Sequence, residues 1–217
     1  MRRVAVFDLD GTLVDSAPDL AAALTRLMAA RSLPGFSREE VIPMIGDGAK
    51  RLVERAFAAR GLAPDAGALP AFLADYEAKA AVETRPFPGI PEALEALDAA
   101  GWALAVCTNK PEGAARALLD ALGLAHVFAA IVGGDSLPVR KPAPGHLLGT
   151  VAAAGGDAAC AAMIGDHAND MLAAAAARIP ALFCAWGYGR PEMANGAPVA
   201  RSAADLPGLL AAMVPAA

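Results

Sequence analysis

An apolar run that stops abruptly at two carboxylates constrains this chain most. Val4-Ala5-Val6-Phe7 is short, β-branched and without polar alternation, the pattern of a strand buried on both faces of a parallel sheet. It gives way at once to Asp8-Leu9-Asp10-Gly11-Thr12. Open α/β sheets put their ligands at the carboxyl ends of their strands. Two residues apart on an extended chain, Asp8 and Asp10 lean to the same side. Like charges that close are costly unless a cation lies between them. Gly11 lets the backbone turn sharply and approach a ligand.

The 217 residues suit one large domain, or one domain carrying an insertion. The 56% hydrophobic content is high, but alanine supplies much of it, and alanine favours helix rather than membrane insertion. No stretch has the length and bulk of a spanning helix. The apolar run after Arg2-Arg3 meets Asp8 too soon for a signal peptide. A net charge of −5 argues against a nucleic-acid surface. Cys107, Cys160 and Cys184 are odd in number, widely spaced and set in or beside apolar segments. Free thiols in a reducing compartment follow, so the expected location is cytoplasmic.

After Thr12 the period changes to that of a helix. Leu20, Leu24, Leu27 and Met28 mark one face over 17–30, with Asp15 or Ser16 as the cap. Ser37-Arg38-Glu39-Glu40 reads as a capping box opening a short second helix. Helices over 49–59 and 68–80 follow, on the faces Leu52/Val53/Ala56/Phe57 and Leu69/Phe72/Leu73/Tyr76. Residues 16–82 therefore form an all-helical block. The stiff Pro86-Phe87-Pro88-Gly89-Ile90-Pro91 segment brings the chain back. From there helix and strand alternate: helices over 92–100, 113–122, 144–155, 170–178 and 206–214, strands over 103–107, 130–132, 161–164 and 181–184. This alternation means α/β, a doubly wound parallel sheet covered by helices on both faces. The domains expected are a core of 1–15 and 83–217 and an inserted helical cap of 16–82.

Later strands also end in polar groups. Val106-Cys107 leads to Thr108-Asn109-Lys110, and Met163-Ile164 leads to Gly165-Asp166, with Asn169 and Asp170 following. Between them lies Arg140-Lys141-Pro142. Each alone is an ordinary turn, cap or solvated loop. The ordered set Asp-x-Asp-Gly-Thr, Thr-Asn, Lys-Pro and Gly-Asp-x-x-x-Asp resembles the haloacid dehalogenase superfamily of phosphotransferases, over essentially the whole chain. Within it, Ile45-Gly46-Asp47-Gly48-Ala49, Thr108-Asn109-Lys110-Pro111 and Trp186-Gly187-Tyr188-Gly189 resemble the phosphoglycolate phosphatase group. With a strand order of 3-2-1-4-5, the first strand lies between the second and fourth, so Asp8 falls beside both Thr108 and Asp166.

The resemblance implies a Mg²⁺-dependent phosphatase of small phosphorylated metabolites, monomeric or homodimeric, with no nucleic-acid or membrane partner. It makes Asp8 the nucleophile and Asp10 the general acid and base. Asp8, the Asp10 carbonyl and Asp166 would hold the metal. Thr108, the Asn109 backbone N–H and Lys141 would bind the phosphoryl oxygens, Lys141 also counting among the catalytic residues. Gly11, Thr12, Gly165 and Asp170 would support the site. Lys50, Arg51 and Arg55 are candidates for a substrate carboxylate, against the alternative of a solvated helix face. His167 stands where the family more often has serine or threonine, and reads as a loop residue. Arg178 stands where the family usually has glycine. Phosphoglycolate leads as substrate. The alternatives are a sugar-phosphate phosphatase, a β-phosphoglucomutase-like phosphotransferase and, more remotely, a non-catalytic phosphate-binding module. The second acid, Asp10, argues against the dehalogenase branch, whose leaving halide needs no proton.

Overall fold

A computed structural model describes residues 2–79 and 81–215. The elements, in order, are β1 (Val4–Phe7), β2 (Val14–Asp15), α1 (Ala17–Ala29), α2 (Arg38–Val41), α3 (Ala49–Ala58), α4 (Ala68–Glu77), β3 (Arg85–Pro86) and α5 (Ile90–Ala99). Then come β4 (Ala103–Cys107), α6 (Glu112–Ala121), β5 (Ala130–Val132), α7 (Pro144–Ala153), β6 (Ala161–Gly165), α8 (Ala168–Ala177), β7 (Ala181–Cys184), β8 (Val199–Ala200) and α9 (Leu206–Met213). No helix among the described residues is long and apolar enough to cross a membrane. All three cysteines are free, with Cys107 and Cys184 buried.

The main sheet is parallel, in the order β5-β4-β1-β6-β7-β8. Its first five strands reproduce the 3-2-1-4-5 order expected from the sequence. β8 adds a sixth, two residues long and too short to leave a periodic trace. β1 is central: Val4 stands opposite Ala103 of β4 and Ala161 of β6. Its alternating residues serve two cores. Ala5 and Phe7 join Leu104, Val106 and Ile164 against α5, α6 and α9. Val4 and Val6 join Ala103, Ala105 and Met163 against Leu147 and Val151 of α7 and Ala174 of α8. Burial on both faces is why β1 is apolar without alternation.

The helices α1–α4 form a contiguous block whose apolar faces run into the core that contains Leu94 and Trp102. The two connections to this block pair with each other: β2 and β3 make an antiparallel ribbon, Val14 opposite Pro86 and Asp15 opposite Arg85. The buried Asp19 carboxylate fastens the return, accepting from the Glu83 and Thr84 N–H groups and from Thr84 Oγ1.

Helix ends depart from expectation in places with clear causes. Ser37 does build its capping box. Ser16 occupies the N-cap of α1 but makes no cap bond with its side chain. The Tyr188 hydroxyl caps instead, accepting from Ala17 N–H at 2.9 Å. α5 starts at Ile90, because Pro91 suits a first helical turn. α8 starts at Ala168 behind a capping box made by His167 and Asp170. α4 ends at Glu77, and Ala80, to which its periodicity reached, lies outside the described residues. Arg178 adopts the left-handed conformation at the end of α8 (φ 59°), where glycine was expected.

Candidate active site

The carboxyl ends of β1, β4 and β6 converge on one crevice, with the loop before α7 beside them. β1 delivers Asp8, whose N–H continues the ladder to Ile164 O at 2.9 Å. β6 delivers Asp166, and the first turn of α8 delivers Asp170. Oxygens of Asp8, Asp166 and Asp170 lie within 4.8 Å of one another, all buried. Lys141 Nζ sits among them, 2.9 Å from Asp8 Oδ1 and 2.6 Å from Asp170 Oδ1.

Such packing of like charge has an electrostatic signature. Burial, reinforced by Asp170 and opposed by Lys141, raises the Asp8 carboxyl to about 6. Burial and the charges of Asp8 and Asp170 raise Asp166 to about 7. The Lys141 ammonium is held charged: burial opposes it, but Asp170 and Asp8 outweigh burial and raise its pKa. Three buried carboxylates against one ammonium leave room for further positive charge.

Each member is held in place. Asp166 Oδ1 accepts from Thr12 Oγ1 at 2.8 Å, and Oδ2 accepts from the Tyr188 N–H at 2.7 Å and the Gly189 N–H at 3.2 Å. Gly11 (φ +90°) lies so close that a Cβ there would overlap Asp166 Oδ2. A Cβ on Gly165 would likewise overlap the Asp170 carboxylate. Asp170 Oδ2 accepts from the His167 N–H, so this carboxylate is fixed at both oxygens. Lys141 is pinned through its backbone: its N–H donates to His146 Nδ1 at 3.2 Å, and its carbonyl accepts from Asn109 Nδ2 at 3.0 Å. His146 is buried, and its Nε2 donates to Gly133 O at 2.9 Å. Burial lowers its pKa, which suits this neutral, structural use.

Asp10 points elsewhere. Its carboxylate accepts from Ser16 Oγ at 2.6 Å and meets Lys110 Nζ at 3.0 and 3.2 Å. Lys110 is buried, and its amino group stands 4.3 Å from the Tyr76 ring centroid. Sequence reasoning gave Lys110 no role. Its place beside Thr108-Asn109 was the one available signal, but its partners lie on other elements. Thr108 Oγ1 accepts from the Lys110 N–H at 3.2 Å.

The helical block closes over this crevice. Gly46 O, on the turn before α3, accepts from Asn109 Nδ2 and Asn169 Nδ2, and Asn169 Nδ2 also donates to Asp47 Oδ1 at 2.7 Å. His167 is the N-cap of α8, Nδ1 accepting from the Asn169 N–H, with its ring packed under Gly46. The space left over Asp8 and Asp10 is about 40 Å³, enough for only a few water molecules, and a larger cleft of about 350 Å³ beside it is lined by Asp10, Asp166, His167 and Tyr188. Leu20, Ile45, Leu52, Phe72 and Tyr76 line the upper side of the smaller space. Lys50 and Arg51 are exposed on α3 and line neither. Arg51 pairs with Glu54, and Arg55 with Asp47. The helical period of α3 indicated which residues share a face, not which face turns to the crevice.

The chain matches the haloacid dehalogenase-like hydrolase family over residues 3–178. It is 47% identical over 186 residues to a phosphoglycolate phosphatase of Caulobacter vibrioides, covering 84% of this chain and 78% of that protein. A phosphoglycolate phosphatase of Agrobacterium fabrum is 46% identical over 189 residues, covering 85% of this chain and 81% of the relative. Among solved structures, a predicted phosphoglycolate phosphatase from Haemophilus somnus 129pt superposes with a TM-score of 0.87 at 32% identity, covering 96% of this chain and 97% of the other. The matched span runs from the strand that bears Asp8 to the end of α8, past every carboxylate and lysine of the crevice, and the chain belongs to the haloacid dehalogenase-like hydrolases.

Proposed function

We propose that this hydrolase is a Mg²⁺-dependent phosphomonoesterase that works through an aspartyl phosphate, with 2-phosphoglycolate as its substrate. The observation that carries the reading is Asp8. It ends the central strand, faces Lys141 Nζ at 2.9 Å, and has a second acid, Asp10, two residues on. With a pKa of about 6 it is chiefly ionised at neutral pH and needs no activating base.

In this scheme an Asp8 oxygen bonds to phosphorus as the ester P–O bond breaks. Asp10 gives its proton to the departing oxygen, then takes one from the water that hydrolyses the acyl phosphate. Lys141, the Thr108 hydroxyl and the Asn109 backbone N–H hold the phosphoryl oxygens. Thr108 Oγ1 accepts from the Lys110 N–H, so its own proton remains for phosphate. Asp8, Asp166 and the Asp10 carbonyl would hold Mg²⁺, which neutralises phosphoryl charge when bound. The donor set fits: all-oxygen ligands, deeply buried, with one lysine among three carboxylates. Asp170 is committed to Lys141 and the His167 N–H, and acts by positioning that lysine.

Residues 16–82 act as a lid on a core of 1–15 and 83–217. Over Asp8 the lid leaves only about 40 Å³, while a wider cleft of about 350 Å³ beside it reaches Asp10 and Asp166, so a parting of lid and core that joins the two would admit the ester. The small, mostly apolar space and relatives named phosphoglycolate phosphatase favour a short leaving group over a sugar.

Wild-type protein is expected to release phosphate from 2-phosphoglycolate only with Mg²⁺, and Asp8→Asn to lose more than about a thousandfold in kcat. Retained turnover in Asp8→Asn refutes the nucleophile. A panel of phosphorylated metabolites tests the substrate: a sugar phosphate exceeding 2-phosphoglycolate in kcat/KM refutes it.

A further inference from the structure

Phosphoryl transfer accounts for the floor of the enclosed space but not for its far wall. That wall is apolar on the lid side, with Leu20, Leu52 and Phe72. Two polar groups interrupt it. One is Lys110, the only cationic side chain among the described residues that line the space. An ammonium carries three donors, and Asp10 engages it from one side only. The other is the Tyr76 hydroxyl, on α4 of the lid. Tyr76 is 2% exposed, and apart from the nearby Lys110 ammonium, which can only donate, its hydroxyl has no partner to accept its proton. A buried hydroxyl without an acceptor is uncommon and points to a group that completes it.

The two donors lie together, since the Lys110 ammonium is 4.3 Å from the Tyr76 ring. They also lie beside the Asp10 carboxylate, which meets Lys110 at 3.0 Å and is the acid of the scheme above. An ammonium and a phenol are both donors, so their natural complement is an anion that only accepts. Lys141, the other buried lysine, is committed to Asp8 and Asp170 on the phosphoryl side.

We propose that Lys110 and the Tyr76 hydroxyl form a receptor for a carboxylate on the leaving group, one or two carbons from the ester oxygen. It selects phosphate esters of short hydroxy acids over neutral alkyl phosphates. The receptor takes one donor from the core and one from the lid, so it is complete only when the lid is shut. Binding the carboxylate thereby favours the shut form. This inference rests on the phosphomonoesterase reading above, and it gives the lysine of the Thr-Asn-Lys run the role that Lys50 and Arg51 were candidates for.

The test is the ratio of kcat/KM for 2-phosphoglycolate to that for ethyl phosphate, which lacks the carboxylate. A ratio above about 100 is expected in wild type. Lys110→Met should lower it at least about 30-fold, and Tyr76→Phe, which removes one oxygen, about 5-fold or more. Using the ratio cancels a general loss of activity, including any through Asp10. Should Lys110→Met fail to fold, Tyr76→Phe decides alone. A wild-type enzyme active on both esters at a ratio near one overturns the receptor and leaves the phosphatase intact. A ratio unchanged in a folded variant overturns that residue's part in it. A wild type inactive on both esters, with Mg²⁺ present, overturns the 2-phosphoglycolate reading on which the receptor rests.

Discussion

Protons and Mg²⁺ compete for the same oxygens in this crevice, and the size of the competition follows from the carboxylates. Asp8 stands at about 6 and Asp166 at about 7 in the metal-free protein, against an ordinary value of 3.8. A carboxylate raised in the folded state stabilises the fold at low pH. It loses that contribution as pH climbs from the unfolded to the folded value. From these two groups the metal-free protein loses stability between about pH 4 and pH 7. Asp47 and Asp75 are held low by partners and lose their contribution only below about pH 4, outside this window. Burial lowers His146 and His167, so these oppose the trend below 6.5. Their effect is common to samples with and without metal, and it cancels in the increment that Mg²⁺ produces. At about pH 5.5 the ion must displace protons from both carboxylates, which weakens its apparent affinity by about two orders of magnitude relative to pH 8. That is about 2.7 kcal/mol. For a chain of 217 residues at fixed, saturating MgCl₂, it amounts to about 5–11 °C of melting temperature. The assay is a thermal melt with MgCl₂ or EDTA at both pH values, on wild type and Asp166→Asn. The Mg²⁺ increment should be larger at pH 8 by that amount. In Asp166→Asn it should vanish, and the metal-free variant should melt above metal-free wild type at pH 8. An increment equal at the two pH values, or a metal-free Asp166→Asn that melts below wild type, refutes the reasoning.

Lys141→Met leaves Asp8 and Asp170 buried without their ammonium. It should lower kcat/KM by about 10²–10³-fold and cost about 3–5 kcal/mol in urea denaturation of the metal-free protein. Gly11→Ala places a methyl against the Asp166 carboxylate at a φ of +90°. A stability loss of about 1–3 kcal/mol and weaker Mg²⁺ binding are expected, measured by denaturation and calorimetry. Arg178→Gly relieves an exposed left-handed residue at the end of α8 and should raise stability by about 1 kcal/mol with unchanged kcat, read from a melt and a turnover assay.

That β1 is covered on both faces was legible because an apolar run without alternation records it in four residues, whereas the strand order came with the family resemblance. The carboxylates and Lys141 were legible only as an ordered set: each stands at a strand end or helix start that alone reads as a turn or loop, and the resemblance brought them to one crevice. Lys110 was not. Its partners are Asp10, a hundred residues away in sequence, and Tyr76, which the helical pattern marks only as part of an apolar face. The cap of α1 escaped for a similar reason. Ser16 has the right chemistry and position, but its hydroxyl is drawn to Asp10, and Tyr188 reaches Ala17 from 171 residues away. Local pattern names a residue's neighbours along the chain, whereas these contacts depend on neighbours across it.

The ribbon of β2 and β3 has a consequence for how such a protein can change over time. The helical block leaves and rejoins the core through two adjacent strands, Val14 opposite Pro86. Paired strands lie about 4.8 Å apart. Any insert whose ends meet at that spacing can replace the block without shifting the register of β1 against β4 or β6. Asp8, Asp166 and Lys141 lie on the sheet side of the ribbon, Tyr76 on the other. The lid's share in the choice of substrate can therefore change by exchange of one segment, while Lys110 and the reacting groups stay with the core.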